Sequence, residues 1–466
     1  MLPHRALLFG CLVLLFAGCD SDPAPTSSLD AELHDALAAA ADGQGPDVFR
    51  MPSSLENIPQ DPRNPLTPEK VELGRLLFHE TALAVNPVKE EGRGTYACAS
   101  CHHPAAGFEV AVPQGIAEGG VGFGRYGERR RLDPRYAPDE ADMLPVRVPP
   151  TLNVAWQEAM LWNGQFGATG VNAGTEAHWD PETPVGTNAL GYEGLETQAI
   201  AGLAVHRMAD GPAAVAEAYP EYRALFDAAF PDRPDGERVS METAGLAIAA
   251  YERTILATEA PFQRWLRGET DAMSRAQKRG AVVFFGKAEC AACHAGPALS
   301  SMTFHALGMG ELGGPGVFSA FNPEDPVHLG RGGFTGRDED RYRFKTPQLY
   351  NLADHVFFGH GATFNSVREV VEYKNRAEPE NEIVPADRLS PAFRPLGLSE
   401  DEIDDLVMFL SRGLYDPDLA RYVPARVPSG QCFPTNDPES RRDLGCEGEQ
   451  ARPHRIAPRA LVEGFR

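Results

Sequence analysis

The chain has 466 residues, enough for two or three domains with cores of their own. Its 66 acidic against 43 basic residues give a formal charge of −23, which argues against a nucleic-acid partner. The same charge suits either ordinary solubility or the steering of a basic electron-carrying protein.

At the N-terminus, His4 and Arg5 precede an apolar run over 6–17, then Gly18 and Cys19. The run is too short to span a bilayer and has the form of an export signal. Phe16-Ala17-Gly18-Cys19 resembles a bacterial lipobox, in which Cys19 takes lipid and becomes the first residue. Plain signal cleavage is the alternative. Either reading places the mature protein in the periplasm, lipid-anchored through Cys19 in the first case. Residues 20–56 are rich in Asp, Ala, Ser and Pro and read as a tether, with a short helix around Leu33–Ala41.

Thr67-Pro68-Glu69 opens a helix, with Thr67 as N-cap and proline at the first helical position. Val71, Leu73, Leu76 and Leu77 form its apolar stripe. It leads to Cys98-Ala-Ser-Cys101-His102, the C-x-x-C-H pattern of covalent c-type haem attachment. Two thiols a turn apart reach the vinyl groups of one porphyrin, and the next residue offers its imidazole to iron. The pattern returns as Cys290-Ala-Ala-Cys293-His294. A zinc ribbon would pair its C-x-x-C units and needs no histidine after each. Two c-type haems are therefore expected, bound by Cys98, Cys101, Cys290 and Cys293, with His102 and His294 on iron.

Residues 104–150 read as a long loop, and 167–194 as a Gly-rich insertion. Helices are expected over Leu195–Met208, Ala213–Phe230 and Ser240–Ala257, with a domain boundary near 257–261. Ser274 caps a second helix that runs through Gly280 and Phe284 into the second haem motif. Leu398–Leu410, capped by Ser399, closes the unit as an amphipathic helix. No strand pattern is strong. The expected fold is mainly α and loop-rich, with cytochrome c-like haem domains at 57–260 and 261–420 packed face to face, and a tail at 421–466. Of eight cysteines, Cys432 and Cys446 remain once signal, lipid and haem are served, and an oxidising compartment favours a disulfide between them. Closing so short a loop contributes about 3 kcal/mol.

Several ordered segments, from about Asn57 to Tyr415, resemble the bacterial dihaem cytochrome c peroxidase/MauG superfamily. They include V-E-L-G-R-L-L-F at 71–78, P-P-T-L-N-V-A-W at 149–156 and L-W-N-G-Q at 161–165. Y-E-R-T at 251–254, P-F-Q-R-W-L-R-G at 261–268, R-G-A-V-V-F-F at 279–285, F-H-A-L-G at 304–308 and F-K-T-P-Q-L-Y-N-L at 344–352 complete the set. The resemblance implies that the C-terminal haem receives electrons and the N-terminal haem meets peroxide. Family members that need reductive activation cap the N-terminal iron with a histidine from the loop after the first motif. Between His103 and Trp162 this chain has none, so an open iron face is expected. Met143 is the one soft side chain of that loop, and His178 in the Gly-rich insertion is the exception to watch.

Peroxide cleavage needs a group that moves a proton from the near to the far oxygen. By resemblance Gln198 takes one family position. The other departs from the family pattern, leaving His206 to shuttle the proton and Arg207 to polarise the departing oxygen. Their alternative role is to bond haem propionates or surface partners, and Glu193 and Glu196 are held in reserve. Trp162 matches the tryptophan between the two haems. The sixth ligand of the C-terminal haem falls on Lys374 or its neighbour Tyr373, with Met302, His305 and Met309 as alternatives. An interdomain calcium is usual in the family; Asn153 and carbonyls near Asp354 are its candidates here, while the family's side-chain Asn falls on Arg147.

The resulting expectation is a dihaem peroxidase that reduces hydrogen peroxide with electrons from a small cytochrome c or cupredoxin, either as a monomer or as a homodimer. Its rivals are a MauG-like oxidase of a partner protein's side chain and a dihaem electron-transfer cytochrome without catalysis.

Overall fold

The computed structural model describes residues 28–447 and 458–460, so the expected signal segment and Cys19 lie outside the described residues. Twelve α-helices are present among them: α1 Ser28–Ala40, α2 Pro68–His79, α3 Gly194–Val205, α4 Gly211–Ala218, α5 Pro220–Ala229, α6 Met241–Arg253, α7 Pro261–Leu266, α8 Arg275–Phe285, α9 Arg331–Thr335, α10 Val367–Arg376, α11 Glu400–Met408 and α12 Pro438–Asp443. Strand is confined to two antiparallel pairs of two residues each: β1 Gly120–Val121 with β2 Arg131–Leu132, and β3 Phe304–His305 with β4 Phe344–Lys345. No described helix is long and apolar enough to cross a membrane.

The two helices that lead into the haem motifs start and pack alike. Thr67 Oγ1 accepts from Lys70 N at 3.2 Å to start α2. Ser274 and Gln277 exchange hydrogen bonds at 2.7 and 3.3 Å to start α8. Each helix then carries a glycine pressed against a neighbouring backbone. A methyl group on Gly74 would lie 1.8 Å from the Ala247 carbonyl oxygen of α6. One on Gly280 would lie 1.9 Å from the Asp405 carbonyl oxygen of α11. These approaches seat α2 on α6 and α8 on α11. They put Phe78 and Phe284, both fully buried, behind His102 and His294 at ring distances of 6.4 Å in each half.

Two expectations change. The short helix expected around Leu33–Ala41 within the tether is α1, which starts earlier, buries Leu33 and Leu37 and docks on α8 instead of hanging free. Its Asp30 carboxylate meets Lys278 Nζ at 2.6 Å and Trp265 Nε1 at 2.8 Å, both buried. The expected single helix Ala213–Phe230 is two, because Pro220 holds Tyr219 extended at φ −128° and ψ 100°. The disulfide-closed tail is as expected, and it also straps the loop of the first haem motif. Its Cys432–Cys446 disulfide is present, and Ser100, inside the first haem motif, donates to Pro434 O at 2.7 Å. Asp443 Oδ2 accepts from Phe123 N and Gly124 N at 3.0 and 2.8 Å, and buried Arg130 meets Asp437 at 3.4 Å.

Because neither helix can retreat from its partner's backbone, Gly74→Ala and Gly280→Ala should each cost about 3 kcal/mol through overpacking. Denaturant unfolding of the holoprotein checks this. Wild-type stability in either variant would mean that the helix pairs are not held at that distance.

Candidate functional site

Cys98–Ser100 and Cys290–Ala292 each form one tight turn that points two cysteines the same way. The four thiols are unpaired. Burial pushes Cys98 and Cys290 up to about 12 and Cys101 to about 11, so they are neutral thiols in apolar surroundings. Such thiols suit thioether bonds to a porphyrin and not a thiolate metal centre.

The histidine after each pair is set by the loop that follows. His102 Nδ1 donates to Phe108 O at 3.2 Å, and His294 Nδ1 lies 3.1 Å from both Leu299 O and Pro347 O. Those bonds put the proton on Nδ1 and leave the Nε2 lone pair for iron. Burial lowers both rings to about 4, so both are neutral.

Each histidine lines its own cavity. The first, about 190 Å³, holds His102, Met160, Phe166, Gln198 and His206. A smaller space of about 70 Å³ shares His102, Gln198 and His206 with it and adds Cys98 and Cys101. The second cavity, about 280 Å³, holds Cys290, Cys293, His294, Leu352, Val371 and Lys374. Trp162, 7 % exposed, lines both the first and the second, as do Pro150, Lys345, Pro347 and Gln348. Paired thiols, a neutral imidazole and an apolar wall, in the second cavity and in the first taken with its adjoining smaller space, fit a covalently held haem.

Gln198 and His206 therefore stand together in the first cavity. His206 Nδ1 is 2.8 Å from Asp142 Oδ2. Burial works against a charged ring, but the Asp142 carboxylate and its hydrogen bond outweigh it and raise the His206 pKa. Arg207, expected beside the departing oxygen, lines neither cavity. It sits at φ 57°, where the chain turns away, and its guanidinium is held by the buried Glu118 carboxylate and Glu140 O. Glu193 and Glu196 are taken up by Arg253, at 2.8 and 2.7 Å. His178 is exposed beside Phe334, and Met143 pairs its backbone with Ile116, so neither lines the first cavity.

On the second side, Lys374 faces the cavity and makes no hydrogen bond with the described residues, and burial lowers its pKa. Tyr373 does not line the cavity: its hydroxyl donates to Leu307 O at 2.6 Å and burial raises its pKa. His305 Nε2 lies 3.3 Å from Cys293 Sγ at the cavity edge, where Met309 also reaches, and Met302 does not. Asn153, a calcium candidate, is committed to Ala257 N at 2.9 Å and Gln348 Oε1 at 3.3 Å. Among the described residues no group of three or more His, Cys, Asp or Glu could hold a metal ion.

Three residues of these walls were not singled out in the sequence. Asp142 is an isolated acid in a long loop, 64 positions from its histidine. Lys345, 7 % exposed, donates only to neutral acceptors, Gln157 Oε1 and Ala159 O, and burial brings it down to about 7. A buried ammonium without a carboxylate suits a cofactor that brings carboxylates of its own. Glu252 has one carboxyl oxygen without a hydrogen bond, is pushed up to about 8 by burial, and lines the smaller space beside Cys98. The F-K-T-P and Y-E-R-T segments were the only available signals for the last two.

A family profile described as di-haem cytochrome c peroxidase matches residues 68–271. The methylamine utilization protein MauG of Methylorubrum extorquens is 31% identical over 415 residues, covering 88% of this chain and 95% of the relative. The cytochrome c551 peroxidase of Nitrosomonas europaea is 24% identical over 386 residues, covering 82% and 91%. A solved structure of a MauG-like protein associated with microbial copper homeostasis superposes with a TM-score of 0.54 at 24% identity, over 79% of this chain and 95% of that one.

The Asp142–His206 contact has a pH signature. A histidine whose folded pKa is raised adds stability that is complete below its unfolded value of about 6.5 and is lost as pH rises through the folded value. Asp142→Asn should thus destabilise the protein by about 1 kcal/mol on the acid side of neutrality and by less at alkaline pH. Denaturant unfolding at two pH values measures the difference. A loss independent of pH would deny the pairing.

Proposed function

Since the chain belongs to the dihaem cytochrome c peroxidase/MauG family, we propose that it is a c-type dihaem peroxidase that reduces hydrogen peroxide to water with electrons from a small cytochrome c or cupredoxin. One observation carries the reading. Trp162 is a shared wall of the two cavities, and the first of these also presents Gln198 and His206, the latter paired with Asp142. In this reading the haem units face each other across Trp162, and the protein works in the periplasm, anchored by lipid on Cys19.

Haems held by Cys98, Cys101 and His102 and by Cys290, Cys293 and His294 would supply redox-active iron. The protein's residues do the rest. The Gln198 amide is placed to hold peroxide by hydrogen bonding. His206 accepts the proton of the near oxygen and returns it to the far one, and Asp142 steadies the imidazolium formed in between. Two electrons and two protons convert one peroxide to two waters. Trp162 offers an oxidisable ring between the cavities. Its N–H is fixed on Arg147 O at 2.7 Å, so the ring keeps its orientation and its proton. Lys374, which lines the second cavity, would be available to bind the iron there, since Tyr373 spends its hydroxyl on the backbone.

The MauG-like reading is favoured by the 31% identical relative. One experiment separates the two. Purified ferric protein is mixed with peroxide and then with reduced cytochrome c. Rapid oxidation of the cytochrome is expected, whereas a lasting spectral change that the cytochrome does not reverse would favour oxidation of a partner protein. His206→Ala should lower kcat/KM for peroxide about a hundredfold, with both haems still attached. A low-spin ferric haem that turns high-spin in that variant would instead make His206 a ligand and overturn its proton role. Lys374→Ala should turn the second haem's ferric spectrum from low-spin to high-spin, and an unchanged spectrum would remove Lys374 from iron.

A further inference from the structure

We infer that Arg147 is the positioning residue of Trp162, an internal fixed cation that joins both cavities to their common indole where a bound divalent ion was expected. The inference rests on Trp162 being the bridge between the haems. Arg147 is 4 % exposed and its guanidinium is used on three sides. One amino group meets the Glu109 carboxylate, which is fully buried, and also donates to Phe357 O at 2.9 Å. Its Nε donates to Gly359 O at 2.8 Å. Its backbone N–H donates to His360 O at 2.8 Å, and its own carbonyl receives the Trp162 indole N–H. The guanidinium carbon stands 5.5 Å from the centre of the Trp162 ring.

These partners are widely separated in the chain. Glu109 follows Phe108, whose carbonyl sets the His102 ring. Phe357, Gly359 and His360 belong to the turn that lines the second cavity. A single side chain thus gathers the proximal loop of the first motif, a turn of the second and the indole between them. Two carbonyls and a carboxylate turned inward are the ligands a hard cation would take. Here a planar, permanently charged fork already fills them, and Lys could not reach all three at once. The second Glu109 oxygen is left facing His355 Nδ1 at 3.6 Å. The residues present do not fit calcium because arginine has taken its place.

The test uses holoprotein with both haems attached, as wild type, Arg147→Ala, Arg147→Lys and Trp162→Phe. Two quantities are read: the indole hydrogen-bond band of Trp162, from ultraviolet resonance Raman difference against Trp162→Phe, and the rate at which peroxide reoxidises the fully reduced protein. In Arg147→Ala the band should weaken and the rate fall by about tenfold or more, since small misplacements are costly. Methylguanidinium should restore both, and Arg147→Lys should fall between. A calcium chelator should leave the wild type unchanged in both. If the chelator shifts the band and calcium restores it, or if Arg147→Ala keeps band and rate, the inference is overturned. Should Arg147→Ala yield no holoprotein, Arg147→Lys decides, and wild-type values there overturn the inference. A wild-type rate in Trp162→Phe would defeat the bridging role itself, while the band still reports on Arg147.

Discussion

Both halves of the molecule depend on one requirement: an imidazole held neutral inside an apolar cavity, its ring turned by a backbone carbonyl. Burial alone keeps His102 and His294 uncharged, but it does not aim them. The aim comes from carbonyls in loops, and those loops have other duties. Phe108 O takes the His102 proton and also accepts from Thr151 N at 3.0 Å. Pro347 O takes part in fixing His294, while two residues earlier Lys345 N donates to Trp162 O at 2.8 Å. The orientation of each histidine ring is therefore coupled to the segment that builds the wall between the cavities. Disturbing that wall would disturb both rings at once.

The wall is cationic to an unusual degree. Lys345, Arg147 and Arg331 are all buried in it or beside it. Arg331 donates to three carbonyls, at Asn163, Gly164 and Val171, and lies 4.5 Å over the Phe304 ring. Only Arg147 has a carboxylate in contact. Positive charge at low dielectric is costly unless something negative arrives, and the carboxylates of the cofactors are what the first and second cavities would bring. The same charge bears on Trp162. A guanidinium near an indole face favours the neutral ring and opposes a positive charge left on it. Under that field any positive charge on the ring would be transient.

What the sequence made legible was mostly local. The haem motifs, the Thr67, Ser274 and Ser399 caps and the Cys432–Cys446 pair are read within a few residues, and the structure has them. Where the outcome hung on distant partners, the reading failed or stopped short. The short helix near Leu33–Ala41 was legible but its docking was not, because nothing nearby says that Asp30 meets Lys278 and Trp265, more than 230 positions away. Arg207 was aimed at the cavity from its place beside His206, yet Glu118 draws it the other way. Asp142 was invisible as a partner of His206 until the loop was folded. Pro220 was the one local signal passed over, and it broke a helix as proline should.

The two halves begin alike and diverge on the side opposite the proximal ring, and the divergence carries the functional reading. Each has a capped helix, a glycine pressed on a neighbouring backbone, a phenylalanine behind the histidine and two thiols in a turn. In the first half the remaining wall offers an amide and a hydrogen-bonded imidazole whose second nitrogen is free to exchange a proton. In the second it offers aliphatic groups and the Lys374 amine, whose pKa burial lowers so that more of it is neutral and its lone pair is available. An amide and a proton shuttle favour a small, polar, exchangeable occupant. A buried, partly neutral amine would favour an occupant that binds it directly. If the halves arose from one plan, the plan was kept where the cofactor is attached and altered only where chemistry differs.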